Sequence, residues 1–174
     1  LTYEFQVSLP YMAKVGLHAG SSGFGFMTAA MGVGAVLGGL VVATRGRTGT
    51  AALVSSVAAF GVAMTLATVA PSLPVELVAM TLVGAGSVAF MSTGNATLQL
   101  GAASEMRGRV MSLWFVAFQG STPIGGPVIG AVMSLAGARA GLGLGAITCF
   151  VVALAGGVGL RIAREHTQPA TSPA

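Results

Sequence analysis

Residues Gly120–Val132 read GSTPIGGPVIGAV, inside a run of about 27 mostly apolar residues, Val110–Ala136. In water, two prolines and four glycines would ruin a helix here. Each proline costs roughly 3 kcal/mol and each glycine close to 1 against alanine. The helix-weakening residues are concentrated where the chain otherwise looks most like a helix. Which solvent surrounds the run decides whether it is one, and with it the fold.

Composition answers that question. Of 174 residues, 54% are hydrophobic and 7% charged, where a soluble domain carries about 25% charged. There is no aspartate, and the four glutamates (Glu4, Glu76, Glu105, Glu165) face eight lysines and arginines. A soluble domain of this length could bury a core but could not cover its surface with so few charges. The solvent for most of the surface is lipid, and the expected fold is an all-α integral membrane bundle. The net charge of +4 does not point to nucleic acid, because the basic residues come in isolated pairs between apolar runs. Enzyme chemistry lacks its parts: no Ser/His/Asp set, no His-x-x-Glu-His and no phosphate-cradling loop are present. His18 and His166 have no ligand spacing, so neither a metal nor a cofactor is expected. Cys149, the single cysteine, lies in an apolar run and reads as a small hydrophobe. The chain starts at Leu1 with no signal-peptide pattern, and it is expected to be cut from something longer.

A span needs about 20 residues at 1.5 Å rise to cross roughly 30 Å of hydrocarbon. Ser21–Thr44, Thr50–Ala70, Val75–Leu100, Val110–Ala136 and Gly141–Leu160 all qualify. The first run, Leu1 to about Val15, is too short and holds Glu4 and Gln6. It is read as a truncated span, an interfacial helix being the alternative. Alternate loops carry Arg45 and Arg47, Arg107 and Arg109, then Arg161 and Arg164, against only Lys14 and Arg139 between them. By the positive-inside rule the arginine-pair loops and the C-terminal tail lie in the cytoplasm. Residues 1–161 are thus expected to form a six-span unit, and 162–174 a disordered cytoplasmic tail.

Lipid also explains the breakers. With no hydrophobic drive between helices, small residues allow the close packing that holds them together. A backbone group freed by proline can be satisfied by a neighbouring helix, by Ser or Thr, or by water; Ser121 and Thr122 precede Pro123 for that purpose. The second span has a related feature, Gly34 and Gly38 in GVGAVLGGL. The two glycine-rich spans are the second of the first three and the second of the last three. Two inverted three-helix repeats would give that arrangement, the plan of many secondary transporters.

Three motifs together resemble the major facilitator superfamily. Its loop pattern G-x-x-x-D-R-x-G-R-[RK] is matched in GLVVATRGRT by Gly39, Gly46 and Arg47, with Ala43 and Thr44 at the family's Asp and first Arg. SEMRGRVMSL, with Glu105, Arg107, Gly108 and Arg109, is similar to the acidic-x-R-G-R loop before the fifth helix of a half. In GSTPIGGPVIG, Gly126, Pro127 and Gly130 resemble the G-P-x-x-G signature of exporters, and Gly120, Pro123 and Gly125 flank it. With YEFQVSLPYMA at the start, the order resembles the C-terminal six helices of a bacterial drug- and siderophore-export branch, similar to enterobactin exporters and transmembrane secretion effectors. The resemblance implies an N-terminal six-helix half as partner and a central path lined by the first and fourth spans. It also implies a sliding contact between halves formed by the second and fifth spans.

Glu4 is the sharpest candidate for that path, since an ionisable residue in a span usually faces a cavity; near the membrane surface it would simply be solvated. Ser8 shares its face. Ser92, Asn95 and Gln99 recur at i, i+3 and i+7, so they line one helical face, either for substrate or for interhelical hydrogen bonds. Gln119 is a further candidate for the same cavity. Glu105, Arg107 and Arg109 read both as a gating network and as an ordinary positive-inside cluster. Glu76, two residues after Pro74, is expected to complement a helix dipole. The function expected is proton-coupled efflux of small amphiphilic compounds across the plasma membrane. A half-size homodimeric transporter and a non-transporting fragment are the alternatives.

Overall fold

In the hydrocarbon region a helix satisfies its backbone N–H and C=O groups within its own segment. The computed structural model describes residues 5–16, 20–46 and 48–167, and no strand occurs among them. Helix α1 (Phe5–Tyr11) continues into a π-helical turn (Met12–Gly16), followed by α2 (Gly20–Arg45), α3 (Thr50–Val69) and α4 (Leu73–Gly101). Then come α5 (Arg107–Gly120), α6 (Thr122–Ala136) and α7 (Ala138–Thr167). Helices α2, α3, α4 and the Ala138–Ile162 part of α7 are each long and apolar enough to cross a bilayer. The chain is a multi-pass membrane protein.

Two boundaries differ from the sequence reading. The run Val110–Ala136 is not one kinked span but two helices, of 14 and 15 residues, that meet at Ser121. Pro123 has no N–H to offer the Gln119 carbonyl, so the first ladder ends there. The Ser121 N–H turns back to the Gln119 carbonyl, and the Ser121 hydroxyl donates to the Phe118 carbonyl at 2.8 Å. Helix α6 restarts with Pro123 in its first turn, where a missing N–H costs nothing. At the other end of the chain, α7 runs on through Thr167, so the segment expected as a disordered tail begins as helix.

Most hydroxyls inside the helices look after themselves. Those of Thr65, Thr68, Thr81, Thr97 and Thr148 donate to the carbonyl four residues back at 2.7–3.0 Å. This local bonding lets a polar side chain sit in an apolar medium without a partner helix.

Helix α2 packs along α4, and α3 packs on both α4 and α7; consecutive α2 and α3 make no packed contact with each other. The α2–α4 contact is backbone to backbone. A Cβ on Gly34 or Gly38 would land on the carbonyl of Thr81 or Ala85, and one on Gly84 on that of Met31. The small-residue face of the second span is therefore filled by the fourth span of the same chain rather than left for a sliding contact.

The core gathers toward one end, where α2, α4 and α7 begin and α3 and α6 finish. Met12, Met27, Met64, Met80, Met133 and Leu142 are fully buried there. At the opposite, arginine-bearing end, α5 has no buried residue, and α4 beyond Gly84 buries only Thr93 and Gly94. Large apolar side chains cover the outside, among them Val36, Val78, Leu113, Ile124, Leu135 and Leu154, which is the surface a lipid bilayer wets.

Candidate functional site

A charge can stay among apolar helices only if something compensates it. That makes Glu76 the first residue to place. Pro74 in the first turn starts α4, and Glu76, Met80 and Val83 then fall at i, i+4 and i+7 on its inward face, each of them fully buried. The carboxyl is 0% exposed, and neither oxygen has a hydrogen-bond partner among the described residues. Arg139, in the first turn of α7, is the cation near enough to act on it. The dipole role expected of Glu76 fits its place in the first turn, but its burial goes beyond that role. Pro74 was the available signal: it fixes the helix start, and so the face on which Glu76 falls.

A second pair of uncompensated polar atoms lies farther along α4. Asn95 Oδ1 and Trp114 Nε1 are both buried without a hydrogen-bond partner among the described residues. The Trp114 ring lies over Gly94, where a Cβ would come within 3.2 Å of the indole. Phe90 and Phe118 flank it, with ring centroids 6.3 and 6.2 Å away. Glycine at 94 is what lets α5 lean its tryptophan on α4. Neighbouring helices α4 and α5 thus each bury one uncompensated polar atom, an acceptor and a donor, and the donor stands among aromatic rings. Trp114 directly follows the SEMRGRVMSL motif, yet its packing on the helix that carries Asn95 is not a periodicity signal.

The other predicted residues are distributed as follows. Glu4 and Arg47 lie outside the described residues. Ser8 is buried in α1. Ser92 lines a small pocket with Gly39, Gly46 and Thr48 beside the α2–α3 connection, whereas Gln99 is exposed at the end of α4 and Gln119 at the end of α5. Gly46 has φ +56°, the left-handed conformation that ends α2. Glu105, Arg107, Gly108 and Arg109 are exposed. Of the packing motif, Gly125 is buried and Gly126 and Gly130 half-buried, while Gly120, Pro123 and Pro127 are exposed. A Cβ on Gly120 would meet nothing within 4 Å, so at this point the fifth span has no neighbour among the described residues. Among the described residues no cluster of His, Cys, Asp and Glu could hold a metal ion.

No curated protein and no solved structure matches the chain. A family model described as transmembrane secretion effector matches residues 5–171, nearly the whole length and all of the helices above. With its apolar helices and its charge-poor interior, the chain belongs to the transmembrane secretion effector family of major-facilitator-type membrane transporters.

Proposed function

We propose that the chain is the C-terminal six-helix half of an alternating-access exporter of small amphiphilic compounds, driven by protons across the plasma membrane. The observation that carries this reading is the one-ended packing: a buried core at the Glu76 end, and an unpacked α5 at the arginine end. With the arginine pairs and the C-terminus in the cytoplasm, that shape corresponds to a half closed outside and open inside. The exposed face of Gly120, Pro123 and Pro127 is where an N-terminal six-helix half would seat.

The packing supports two inverted repeats as well. Counting α1 with its π-turn as the first span and α5–α6 as the fifth, an exchange of each span with the one three places on maps packed pairs onto packed pairs. The exception is α6–α7, whose counterpart α2–α3 is open. Glu76 and Glu4 are the carboxyls proposed to carry the coupling proton. Asn95, Trp114 and the Ser92 and Gln99 face supply polar groups to the substrate path, with Gln119 and Ser8 beside them. The loops at Gly39–Arg47 and Glu105–Arg109 gate the inner mouth.

The test is dye uptake into inside-out membrane vesicles under an imposed pH gradient, for the natively expressed protein and for Glu76→Gln and Glu4→Gln. Loss of gradient-driven uptake in either variant, with uptake down a dye gradient retained, is expected. Unchanged proton-driven uptake in both variants removes proton carriage from this chain. Intact mass from the same membranes separates a two-half protein, on the order of twice 17.1 kDa or more, from a half-size one.

A further inference from the structure

We propose that the open gap between α2 and α3 is a binding site for an anionic phospholipid, with one acyl chain along the gap and the phosphate at Arg45. The gap is a continuous groove in two stretches. Its mouth, about 570 Å³, lies at the arginine end among Arg45, Thr48, Ser55 and Ser56. Its inner stretch, about 580 Å³, is walled by Leu37, Val62, Leu66 and Leu82. Val41, Ala59 and Ala89 border both stretches, and Ala85 and Gly86 of α4 form part of the floor.

Three features select the occupant. The first is length. From Arg45 to Gly34 on α2 the groove rises about 16 Å and from Thr93 to Thr81 on α4 about 18 Å, at 1.5 Å per residue. One leaflet of hydrocarbon is about 15 Å thick, so the groove takes a single chain from headgroup level to midplane. The second is the polarity gradient, which follows the order of groups in a phospholipid. A charged and hydroxyl-bearing mouth gives way to aliphatic walls in which the one hydroxyl, that of Thr81, is turned back to the Leu77 carbonyl. The third is charge. Arg45 is exposed at the mouth and has no ion-pair partner among the described residues. The mouth is also fixed in place: the Gly49 N–H donates to Thr97 Oγ1 of α4 at 3.0 Å, which ties the α2–α3 connection to α4 beside the groove. Basic pockets between membrane helices on the cytoplasmic side suit anionic headgroups. The counterpart pair in the proposed repeat, α6–α7, is packed, so the groove is specific to α2–α3. The choice of leaflet rests on the positive-inside orientation; the site itself does not depend on transport.

The experiment is native mass spectrometry of the purified full-length protein in detergent, titrated with dipalmitoyl phosphatidylglycerol or dipalmitoyl phosphatidylcholine. Phosphatidylglycerol adducts are expected to survive delipidation about fivefold better, the effect of one basic residue at a membrane surface. Arg45→Gln should erase that preference. Ala59→Trp, at an exposed wall position, should remove the retained adduct while helix content by circular dichroism stays the same. Dioctanoyl phosphatidylglycerol should be held more weakly than the dipalmitoyl form, a readout that needs no variant. Equal retention of the two headgroups, an adduct that persists in Ala59→Trp, or equal retention of the two chain lengths overturns the proposal. So does binding of glycerol phosphate alone as tightly as the lipid. Disulfide-linked dimers through Ser55→Cys in the lipid-loaded protein would make the occupant a second copy and overturn it too.

Discussion

At Gly34 the backbone of α2 lies against the carbonyl of Thr81, and at Gly84 the backbone of α4 lies against that of Met31. Lipid tails are as apolar as leucine, so these helices gain nothing by hiding apolar surface from them. What holds α2 to α4 is dispersion between backbones that only glycine lets so close. Gly38→Ala places a methyl 2.6 Å from the Ala85 Cα, and the helices must part; overpacking of this kind costs about 1–3 kcal/mol. Gly32→Ala meets nothing within 4 Å and should gain up to about 1 kcal/mol from helix propensity. Thermal unfolding in detergent should therefore move the two midpoints in opposite directions; equal midpoints would count against backbone contact as the holding force. Trp114→Phe asks a different question. It keeps the ring between Phe90 and Phe118 and deletes the unpartnered N–H. If that N–H has no ligand, the relief of an unsatisfied donor, about 1 kcal/mol, offsets the packing lost with the smaller ring, and uptake stays the same. A ligand role predicts the same small change in stability with a loss of dye uptake, and two assays on one variant separate the roles.

The helices themselves were legible because apolar runs longer than a bilayer crossing have few other solutions. Runs at Ser21–Thr44, Thr50–Ala70, Val75–Leu100 and Gly141–Leu160 became α2, α3, α4 and α7 within a few residues at most ends. Gly34 and Gly38 read correctly as a packing face because their spacing is a local property. Which neighbour fills that face was not legible, since α2, α3 and α4 are apolar all round and no period marks an inward side. For the same reason the open α2–α3 groove left no trace in the pattern. The burial of Glu76 depends on how α2 and α3 pack on α4, which no local window of sequence shows. The break at Ser121 was half legible: the prolines announced a distortion, but whether it is a kink or a full stop depends on hydrogen bonds that the letters do not show. Pro123→Ala returns an N–H to the Gln119 carbonyl and should fuse α5 and α6. Spin labels at Leu113→Cys and Leu135→Cys, both exposed, would then separate to about 33 Å, the rise of one straight helix. The natural sequence should give a shorter distance, and an unchanged one in the variant would mean that Pro127 or the surroundings set the break.

Taken as one body, the chain is packed at the Glu76 end and loose at the arginine end, and under the alternating access proposed above that asymmetry becomes a direction. Helices α1, α2, α3, α4, α6 and α7 all contribute to the buried cluster at the closed end, whereas α5 reaches the open end with every residue at least partly exposed. A bundle in this shape offers water and reagents a way in from one side only. The single cysteine is buried, so introduced thiols report by themselves. Gln119→Cys, exposed near the end of α5, should react with a membrane-impermeant maleimide applied from the arginine side. Met80→Cys, fully buried one turn beyond Glu76, should react from the opposite side at least about tenfold more slowly, because only a minor outward-open population exposes it. Imposing the pH gradient proposed to drive export should raise the Met80→Cys rate and lower that of Gln119→Cys, as the population shifts to the other face. Glu76→Gln should abolish that reciprocal change while leaving the resting rates as they are. If instead Met80→Cys reacts as fast as Gln119→Cys with no gradient, the closed end is not closed in the membrane. The link between Glu76 and the direction of opening would then have no structural basis.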